Sequence, residues 1–239
     1  MDTNLNVKNK DIVLEYEKKE KERLEINLRH LENGVEFLDI RCAYIDKTVK
    51  IGKGTKIYPN VIIEGDTTIG EKTIIGSNTQ IKNSVIGSGL NIKNSVIEDS
   101  KIGDRTTVGP FAYVRPNSDI GEDCKIGDFV EVKNSVVGNG SKASHLTYIG
   151  DSDIGANVNL GCGVVFVNYD GVNKYRSVVE DGAFVGCNVN LVSPVNVGKD
   201  GYIAAGSTVT KDVPAGSLFV AREKGRTIEG WVKRKRKNR

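Results

Sequence analysis

The sequence contains few of the residues on which several common protein classes depend. Among 239 residues there are two histidines, four cysteines, five prolines and one tryptophan. No apolar run approaches the roughly 18 residues that a membrane-spanning helix needs. The polar start MDTNLNVKNKD does not resemble a secretory signal. We therefore expect a soluble cytoplasmic protein.

The scarcity of cysteine and histidine argues against the usual metal and redox motifs. Cys42, Cys124, Cys162 and Cys187 are far apart in sequence and form no CxxC pair, so neither a zinc ribbon nor a redox dithiol is predicted. In a reducing cytoplasm they are expected to be free thiols. A catalytic zinc site of the carbonic anhydrase kind needs three imidazoles, and the chain has only two histidines. No metal is expected.

Positive charge is concentrated at one end of the chain. The formal net charge is +3, and without six cations among the last seven residues it would be −3. These cations are Lys233, Arg234, Lys235, Arg236, Lys237 and Arg239. A mildly acidic body argues against a specific nucleic-acid partner. The tail is interpreted as a solvated end or as a nonspecific nucleic-acid binder, and disorder is expected for about its last six residues.

The composition changes near residue 44. Residues 11–33 are rich in Glu, Lys and Arg, with Leu24, Leu28 and Leu31 at i, i+4 and i+7 and Gly34 just beyond. This spacing predicts one amphipathic helix with a glycine cap. Its apolar stripe is narrow, so we expect the helix to pack on a neighbouring body or subunit rather than form a domain.

From about residue 45 onward, aliphatic residues return every six positions. Two uninterrupted runs are Ile51, Ile57, Ile63, Ile69, Ile75 and Ile81, and Ile102, Val108, Val114, Ile120, Ile126 and Val132. A period of six fits neither a helix nor an alternating strand. It is typical of a short extended rung followed by a corner, repeated three times per coil.

The repeat therefore predicts an all-β chain, a parallel β-helix with an N-terminal α-helix. Inward-pointing Ile and Val side chains would stack as its core. The alternative is a series of antiparallel hairpins, whose spacing would not stay so regular over about 160 residues. The general rule for parallel crossovers favours right-handed connections, whereas the resemblance described below implies a left-handed helix.

One segment interrupts the repeat. Residues 167–178 form a stretch too long for a corner, and such excursions commonly carry binding residues, although a tolerated surface insertion fits as well. His145, the only histidine in the repeat, lies shortly before it. An imidazole can exchange a proton near neutral pH and act as a general base. Taken alone, His145 could equally be an ordinary surface residue.

The run GNGSKASHLTYIGDSDIGANVNLGCGVVFVNYDGVNK, residues 138–174, resembles the acetyltransferase half of the bacterial bifunctional N-acetylglucosamine-1-phosphate uridyltransferase/glucosamine-1-phosphate acetyltransferase family. The likeness continues through GPFAYVRP, IGDFVEVK, IAAGSTVTKDVP and EGW, and RHLENGVEFLD resembles that family's linker arm. Hexapeptide repeats are shared by many acyltransferases, so HLTY combined with NYDGxNK carries most of the specificity. The resemblance covers essentially the whole chain.

This resemblance implies acetyl transfer from acetyl-CoA to glucosamine 1-phosphate. His145 matches the base that deprotonates the sugar 2-ammonium, and Glu131 matches the carboxylate that orients and supports the imidazolium. The backbone N–H of Cys162 would face the developing oxyanion. Direct transfer needs no acyl-enzyme, so a cysteine nucleophile is not expected.

The remaining site residues are also implied by the resemblance. The matches for binding the amino-sugar phosphate are Arg115, Lys133, Tyr148, Asn159 and Lys174. The matches for binding acetyl-CoA are Cys162, Asn168, Tyr169, Cys187, Ala205, Arg222 and Trp231. Viewed singly, these residues have plainer interpretations, such as solvated corner charges, core spacers and loop-packing aromatics.

The predicted organisation has three parts: a helical linker arm over 1–44, the β-helical acetyltransferase domain over 45–220, and a C-terminal segment with the basic tail over 221–239. The family's bifunctional members also carry a nucleotidyltransferase domain with a glycine-rich phosphate loop, and no such loop precedes residue 11. We therefore expect no uridylyl transfer and no magnesium requirement.

The resemblance further implies a homotrimer with sites at subunit boundaries, and a separate uridyltransferase is a possible partner. Two alternatives stay open. The acceptor is another amino sugar or a nucleotide-linked one, or the chain is a non-catalytic β-helical partner of a separate nucleotidyltransferase. Thiol release from CoA distinguishes the enzyme from the scaffold.

Overall fold

The structure, a computed structural model, describes residues 3–237. A long helix, α1 (Thr3–Glu32), leads into a solenoid whose strands run from Glu36 to Phe219, and a short helix, α2 (Trp231–Lys237), follows it. A 3₁₀ turn at Ile40–Cys42 lies at the start of the solenoid. The described strands form three sheets, A, B and C, of 11, 10 and 9 strands.

Successive strands visit the three sheets in turn, and each pairs in parallel with the strand one coil away. Sheet A contains β1 (Glu36–Phe37), β4 (Lys56–Ile57), β7 (Ile74–Ile75), β10 (Asn91–Ile92), β13 (Thr107–Val108), β16 (Lys125–Asp128), β19 (Lys142–His145), β22 (Asn159–Leu160), β25 (Phe184–Val185), β28 (Tyr202–Ile203) and β30 (Leu218–Phe219). Sheet B contains β2 (Ala43–Ile45), β5 (Val61–Glu64), β8 (Gln80–Lys82), β11 (Val96–Glu98), β14 (Tyr113–Val114), β17 (Glu131–Lys133), β20 (Tyr148–Gly150), β23 (Val165–Val167), β26 (Asn190–Val192) and β29 (Thr208–Val209). Sheet C contains β3 (Lys50–Ile51), β6 (Thr68–Ile69), β9 (Val85–Ile86), β12 (Lys101–Ile102), β15 (Asp119–Ile120), β18 (Val136–Val137), β21 (Ser152–Ile154), β24 (Ser177–Val179) and β27 (Asn196–Val197).

The aliphatic column predicted from the six-residue period forms the core, so that prediction is confirmed. In sheet B, register-matched side chains stack inward with almost no exposed surface: Ile63, Ile81, Ile97, Val114, Val132 and Ile149. Each coil exposes its apolar faces above and below, so the column is buried only when neighbouring coils stack on it. The antiparallel-hairpin alternative is wrong, because every pairing between named strands is parallel.

The polar residues of the repeat lie at its corners, where the backbone turns sharply between rungs. Seventeen of the non-glycine residues that the structure describes have positive φ, and twelve of them are Asn or Asp, the L residues that tolerate this left-handed region best. Between sheets B and C they form a continuous ladder: Asn83, Asp99, Asn117, Asn134 and Asp151. The sequence thus places a residue that can turn sharply wherever a rung ends.

The helix α1 is attached by polar side chains rather than by its leucine stripe. Asn27 is fully buried and donates to the carbonyls of Ile40 and Ala43, at 2.8 and 3.0 Å. Leu24 is half-buried but Leu28 and Leu31 are exposed, so most of the stripe does not pack on the chain's own body, and its packing on another subunit stays a prediction. The first coil has unpaired carbonyls at its open edge, and amide donors satisfy them where leucine cannot.

Two further differences from the sequence analysis concern segment limits. α1 begins at Thr3, earlier than residue 11, and β1 lies within the segment 1–44 because Glu36 and Phe37 pair with Lys56 and Ile57. The basic tail is helical through Lys237, so the expectation of disorder is wrong for 234–237, and residues 238 and 239 lie outside the described part of the chain. None of the helices within residues 3–237 is both long and apolar enough to cross a bilayer.

The core column yields a stability prediction. Ile126 is fully buried in β16, so Ile126→Ala removes packed methyl groups and leaves a cavity. We expect the free energy of unfolding to fall by about 2–5 kcal/mol, measured by urea denaturation. Ile74→Ala is the matched control, since Ile74 is 36% exposed on sheet A and should change it by less than about 1 kcal/mol. Equal losses in the two variants would contradict this account of the core.

Candidate active site

Several predicted site residues lie at or near the edge where sheet A turns into sheet B, called here the A–B edge. His145 ends β19 on the sheet A side, and its imidazole is exposed. Glu131, Lys133 and Tyr148 begin or end the next strands on sheet B. The His145 imidazole therefore lies on the sheet A side of this edge, and the charged side chains of Glu131 and Lys133 lie on the sheet B side.

Parallel register aligns a series of residues along this edge. Asp128 and His145 are direct partners in β16 and β19. Extending the pairings of β19 with β22, β22 with β25 and β25 with β28 places Cys162, Cys187 and Ala205 above His145 in turn. One position in each of five successive coils thus forms a line, called here the edge column.

The carboxylate that contacts His145 is Asp128, with its Oδ1 2.5 Å from Nδ1 of the imidazole. This hydrogen bond is the main cause of a lowered pKa for the Asp128 carboxyl. Glu131 was expected in this role, but its Oε1 instead accepts from Nη1 of Arg115 at 2.7 Å. The structure therefore places Glu131 with the cations on sheet B and gives the imidazole a different carboxylate.

The two predicted phosphate-binding cations, Arg115 and Lys133, lie side by side on sheet B, and Lys174, a predicted sugar contact, approaches them from the segment that follows β23. A side-chain hydrogen bond with Lys133 is the main cause of a lowered pKa for Lys174; the charges of Lys133 and Arg115 act in the same direction, and the Asp151 carboxylate opposes them. The Arg115 guanidinium also lies over the ring of Tyr113, 5.7 Å from its centroid. A cluster of cations that disfavour each other's charge is suited to a polyanion that would relieve the repulsion.

Asp151 is the buried hub of this cluster and was not predicted. Its carboxylate accepts from Asn134 Nδ2 at 2.6 Å and Asn168 Nδ2 at 2.5 Å, and lies 3.4 Å from Lys133 Nζ. Burial by itself would raise the pKa of Asp151, but the hydrogen bonds from the two amides and the charge of Lys133 lower it overall. Asp151 thus ties Lys133, a predicted phosphate ligand, to Asn168, a predicted cofactor ligand.

The excursion that follows β23 is an ordered hairpin. Tyr169 and Lys174 form an antiparallel bridge, and the Asp170 carboxylate accepts from the backbone N–H groups of Val172 and Asn173 at 2.7 and 2.6 Å. Arg176 anchors the far end, donating to Asp153 from Nε and Nη2 at 2.6 and 2.5 Å. Both ends of the hairpin are therefore bound to carboxylates of the β20–β21 coil.

Tyr148 shows why a glycine is required beside the site. A Cβ on Gly150 would overlap the hydroxyl oxygen and ring of Tyr148, so the ring lies across the backbone of its own strand. Its hydroxyl is 3.5 Å from Nδ2 of Asn168. The ring consequently spans from the A–B edge towards the excursion.

The remaining predicted residues are more widely spread. Asn159 lies on the outer face of sheet A between Lys142 and Phe184, and Tyr169 is exposed on the hairpin, where its hydroxyl donates to the Gly171 carbonyl at 2.6 Å. Arg222 donates from Nη1 to the Ala205 carbonyl at 2.6 Å, which brings it to the end of the edge column. Trp231 is exposed on α2, 5.9 Å from the Lys235 ammonium.

Sequence reasoning missed Asp128 and Asp151. Spacing by one coil could have found both residues. Asp128 is 17 residues before His145, and Asp151 is 17 residues after Asn134 and 17 before Asn168. An offset of one coil places residues side by side on adjacent rungs. Motif comparison along the chain does not show this proximity.

Comparison with known proteins agrees with this architecture. The profile described as "Bacterial transferase hexapeptide (six repeats)" matches residues 48–83 and 99–134. The chain is 56% identical over 213 residues to the bifunctional protein GlmU of Clostridioides difficile and 53% identical over 210 residues to that of Clostridium beijerinckii. The two matched segments thus carry the hexapeptide repeat found in bacterial transferases.

These alignments cover 89% and 88% of the chain but 46% of each GlmU protein, so the chain spans about half the length of the curated relatives it matches. Among solved structures, a UDP-N-acetylglucosamine acyltransferase from Campylobacter jejuni aligns with a TM-score of 0.50 and 16% identity. That alignment covers 82% of this chain and 76% of the other. The likeness shows the fold, a left-handed β-helix with an N-terminal helix, as expected.

The Asp151 hub generates a pH-dependent prediction. Its lowered pKa means that the ionised carboxylate stabilises the folded chain above the pKa of an unfolded aspartate, about 3.9, and that this contribution is lost as the pH falls through the lower folded-state value. We expect Asp151→Asn to reduce the free energy of unfolding by about 1–3 kcal/mol at pH 7. The deficit should shrink below about pH 4.

Denaturant unfolding at several pH values measures this effect, and Asp99→Asn is the matched control. Asp99 occupies the same ladder with positive φ but is exposed, so its replacement should change the free energy of unfolding by less than about 0.5 kcal/mol. Asparagine is tolerated at positive φ, so neither substitution adds backbone strain to the measured free energy of unfolding. A deficit that does not vary with pH would contradict the role of the Asp151 charge.

Proposed function

We propose that the chain is a CoA-dependent N-acetyltransferase that converts glucosamine 1-phosphate to N-acetylglucosamine 1-phosphate. His145 takes a proton from the sugar 2-ammonium, and the resulting amine attacks the thioester carbonyl of acetyl-CoA. A C–N bond forms, the C–S bond breaks, and CoA leaves as a thiolate that takes up a proton. The acetyl group passes directly from donor to acceptor, without an acyl-enzyme.

The edge column is the observation that carries this proposal. It aligns the His145 imidazole with Cys162, Cys187 and Ala205 on the following coils, so a base stands at one end of a row of small side chains. An extended pantetheine arm fits along such a row, with its thioester near the base. Within residues 3–237 the backbone N–H of Cys162 has no acceptor, which leaves it available to a developing oxyanion.

The cation cluster supports an anionic acceptor. Among the residues that the structure describes, the Arg115 guanidinium donates from Nη1 alone, to Glu131. Its other nitrogens can therefore bind phosphate oxygens, and Lys133 and Lys174 add two point charges. Lys133 ends β17 next to the corner at Asn134, one short strand away from the A–B edge at which His145 ends β19. A sugar phosphate bridging the edge would present its amine to the imidazole.

A separate cation, Arg222, would bind the phosphates of acetyl-CoA. Arg222 is held at the end of the edge column by its bond to the Ala205 carbonyl, and the residue is exposed, as is the segment that follows it. The proposed donor groove thus runs from His145 to Arg222. Family resemblance assigns the same groove to acetyl-CoA.

An exposed apolar stripe supports assembly into a homotrimer, with sites between subunits. Phe111, Phe129 and Leu146 are 53%, 56% and 57% exposed and all have positive φ, which bulky residues rarely adopt. The two phenylalanine rings stack at 5.3 Å. Leu146 adjoins His145, so a second copy covering this stripe would also enclose the candidate site.

The proposed reaction is tested by measuring thiol release from acetyl-CoA with glucosamine 1-phosphate, glucosamine 6-phosphate and UDP-glucosamine. We expect the 1-phosphate to have the highest kcat/KM. His145→Ala should lower kcat by about 10²- to 10⁴-fold, the usual contribution of a general base. A preference for UDP-glucosamine would change the acceptor, and absence of thiol release with all three would favour the non-catalytic scaffold.

The phosphate assignment has its own expected result. Lys133→Ala should raise the KM for glucosamine 1-phosphate by about 10- to 100-fold, because one charge-assisted hydrogen bond is lost. Lys82→Ala is the matched control, since Lys82 lies on the same face of sheet B, three coils away. Equal KM values in the two variants would refute the assignment.

The trimer is tested by light scattering after size-exclusion chromatography. Phe129→Asp should reduce the trimeric mass to that of a monomer, because a charge replaces an apolar contact while aspartate accepts positive φ without strain. Val136→Asp, on the opposite sheet C of the same coil and 46% exposed, should leave the mass unchanged. A Phe129→Asp trimer would show that this stripe is not the interface.

A further inference from the structure

The contact between Asp128 and His145 is built into the fold by strand register. The two residues are direct partners in the parallel pair β16 and β19. A Cβ on Gly127 would overlap the Ser144 carbonyl, so glycine lets the two coils approach closely just before the two side chains project outward. The 2.5 Å separation of Asp128 Oδ1 and His145 Nδ1 follows from this backbone arrangement.

The direction of the hydrogen bond follows from the chemistry of the partners. The bond from His145 is the largest cause of the lowered pKa of Asp128, and the charge of Lys125 on the same strand acts in the same direction. The carboxyl is therefore ionised at neutral pH and can only accept. The hydrogen between the two atoms then belongs to Nδ1, and Nε2 of the neutral ring is left as the acceptor.

We propose that Asp128 is the positioning residue of the candidate site, fixing the imidazole in the tautomer whose Nε2 takes the substrate proton. This inference rests on the proposed function, in which His145 is the base. It reassigns to Asp128 the role that family resemblance gives to Glu131, whose carboxylate is paired with Arg115.

Positioning matters here because the imidazole is open to solvent. The side chains of His145 and Asp128 are 55% and 36% exposed, so little packing restrains the ring. Without the carboxylate, the ring would rotate and present either nitrogen, protonated or not, to the substrate amine. The carboxylate also stabilises the positive charge that the ring gains on accepting the proton, an effect that solvent screening reduces at this exposure.

The tautomer is measured directly by nitrogen-15 NMR of the full chain with labelled histidine. The chain has only two histidines, His30 and His145, so a His145→Gln sample assigns the signals. We expect His145 of the unsubstituted chain to carry its proton on Nδ1 at a pH where the ring is neutral. In Asp128→Asn we expect a larger fraction with the proton on Nε2, because the amide can donate to Nδ1.

Kinetics supply the second readout. Asp128→Asn should lower kcat by about 10- to 100-fold, a part of the contribution of the base itself, while the KM values for acetyl-CoA and the acceptor change less than about twofold. Asp128→Glu, which retains the carboxylate, should recover part of the lost kcat. Asp123→Asn is the matched control, since Asp123 lies on the same coil, paired with Arg105, and should change neither readout.

Each outcome decides a different claim. A proton on Nε2 in the unsubstituted chain, or the same tautomer and kcat in Asp128→Asn, would overturn the positioning role. Full turnover in His145→Ala would instead overturn the proposed function. The NMR measurement does not depend on turnover, so the tautomer assignment can fail or stand independently of the reaction.

Discussion

Hydrogen bonding between rungs one coil apart is the constraint on which the molecule depends. Because each strand pairs in parallel with the strand of the next coil, residues about 17 or 18 apart in sequence become lateral neighbours. The same rule stacks the aliphatic column inside and the edge column outside. Asp128 meets His145, and Asn134 meets Asp151, through identical geometry. A site on such a surface is held by the backbone ladder and needs little support from side-chain packing.

The excursion is a part of the candidate site that the ladder does not hold, and buried charge holds it instead. Asp151 accepts from Asn168 at the start of the hairpin, and Asp153 accepts from Arg176 at its end. A buried carboxylate must find donors or lose its charge, so the hub favours one conformation of Lys133 and of the hairpin together. The proposed acceptor and donor sites consequently share a single structural support.

The first coil of the solenoid is stabilised by polar side chains of α1, because no earlier coil pairs with it. A stacked fold leaves unpaired backbone groups on its first coil, and Asn27 and Arg23 of α1 donate to the Ala43 carbonyl there. This requirement explains why α1 presents polar side chains to the body while Leu28 and Leu31 remain exposed. The need of these backbone carbonyls for hydrogen-bond donors therefore determines which face of α1 packs on the solenoid.

The sequence by itself determined the repeat, the inward column, the corners and the position of the excursion, because a six-residue period with Asn, Asp and Gly at the turns leaves few other folds for the backbone. It also supplied the candidates His145, Arg115, Lys133 and Lys174 by motif. Only the tertiary structure decided which groups touch. Glu131 pairs with Arg115, and Asp128 contacts the imidazole, because proximity depends on the exact number of residues in each coil, which varies where corners shorten or lengthen. The face that α1 buries was likewise set by the carbonyls it meets, which helical periodicity alone does not encode.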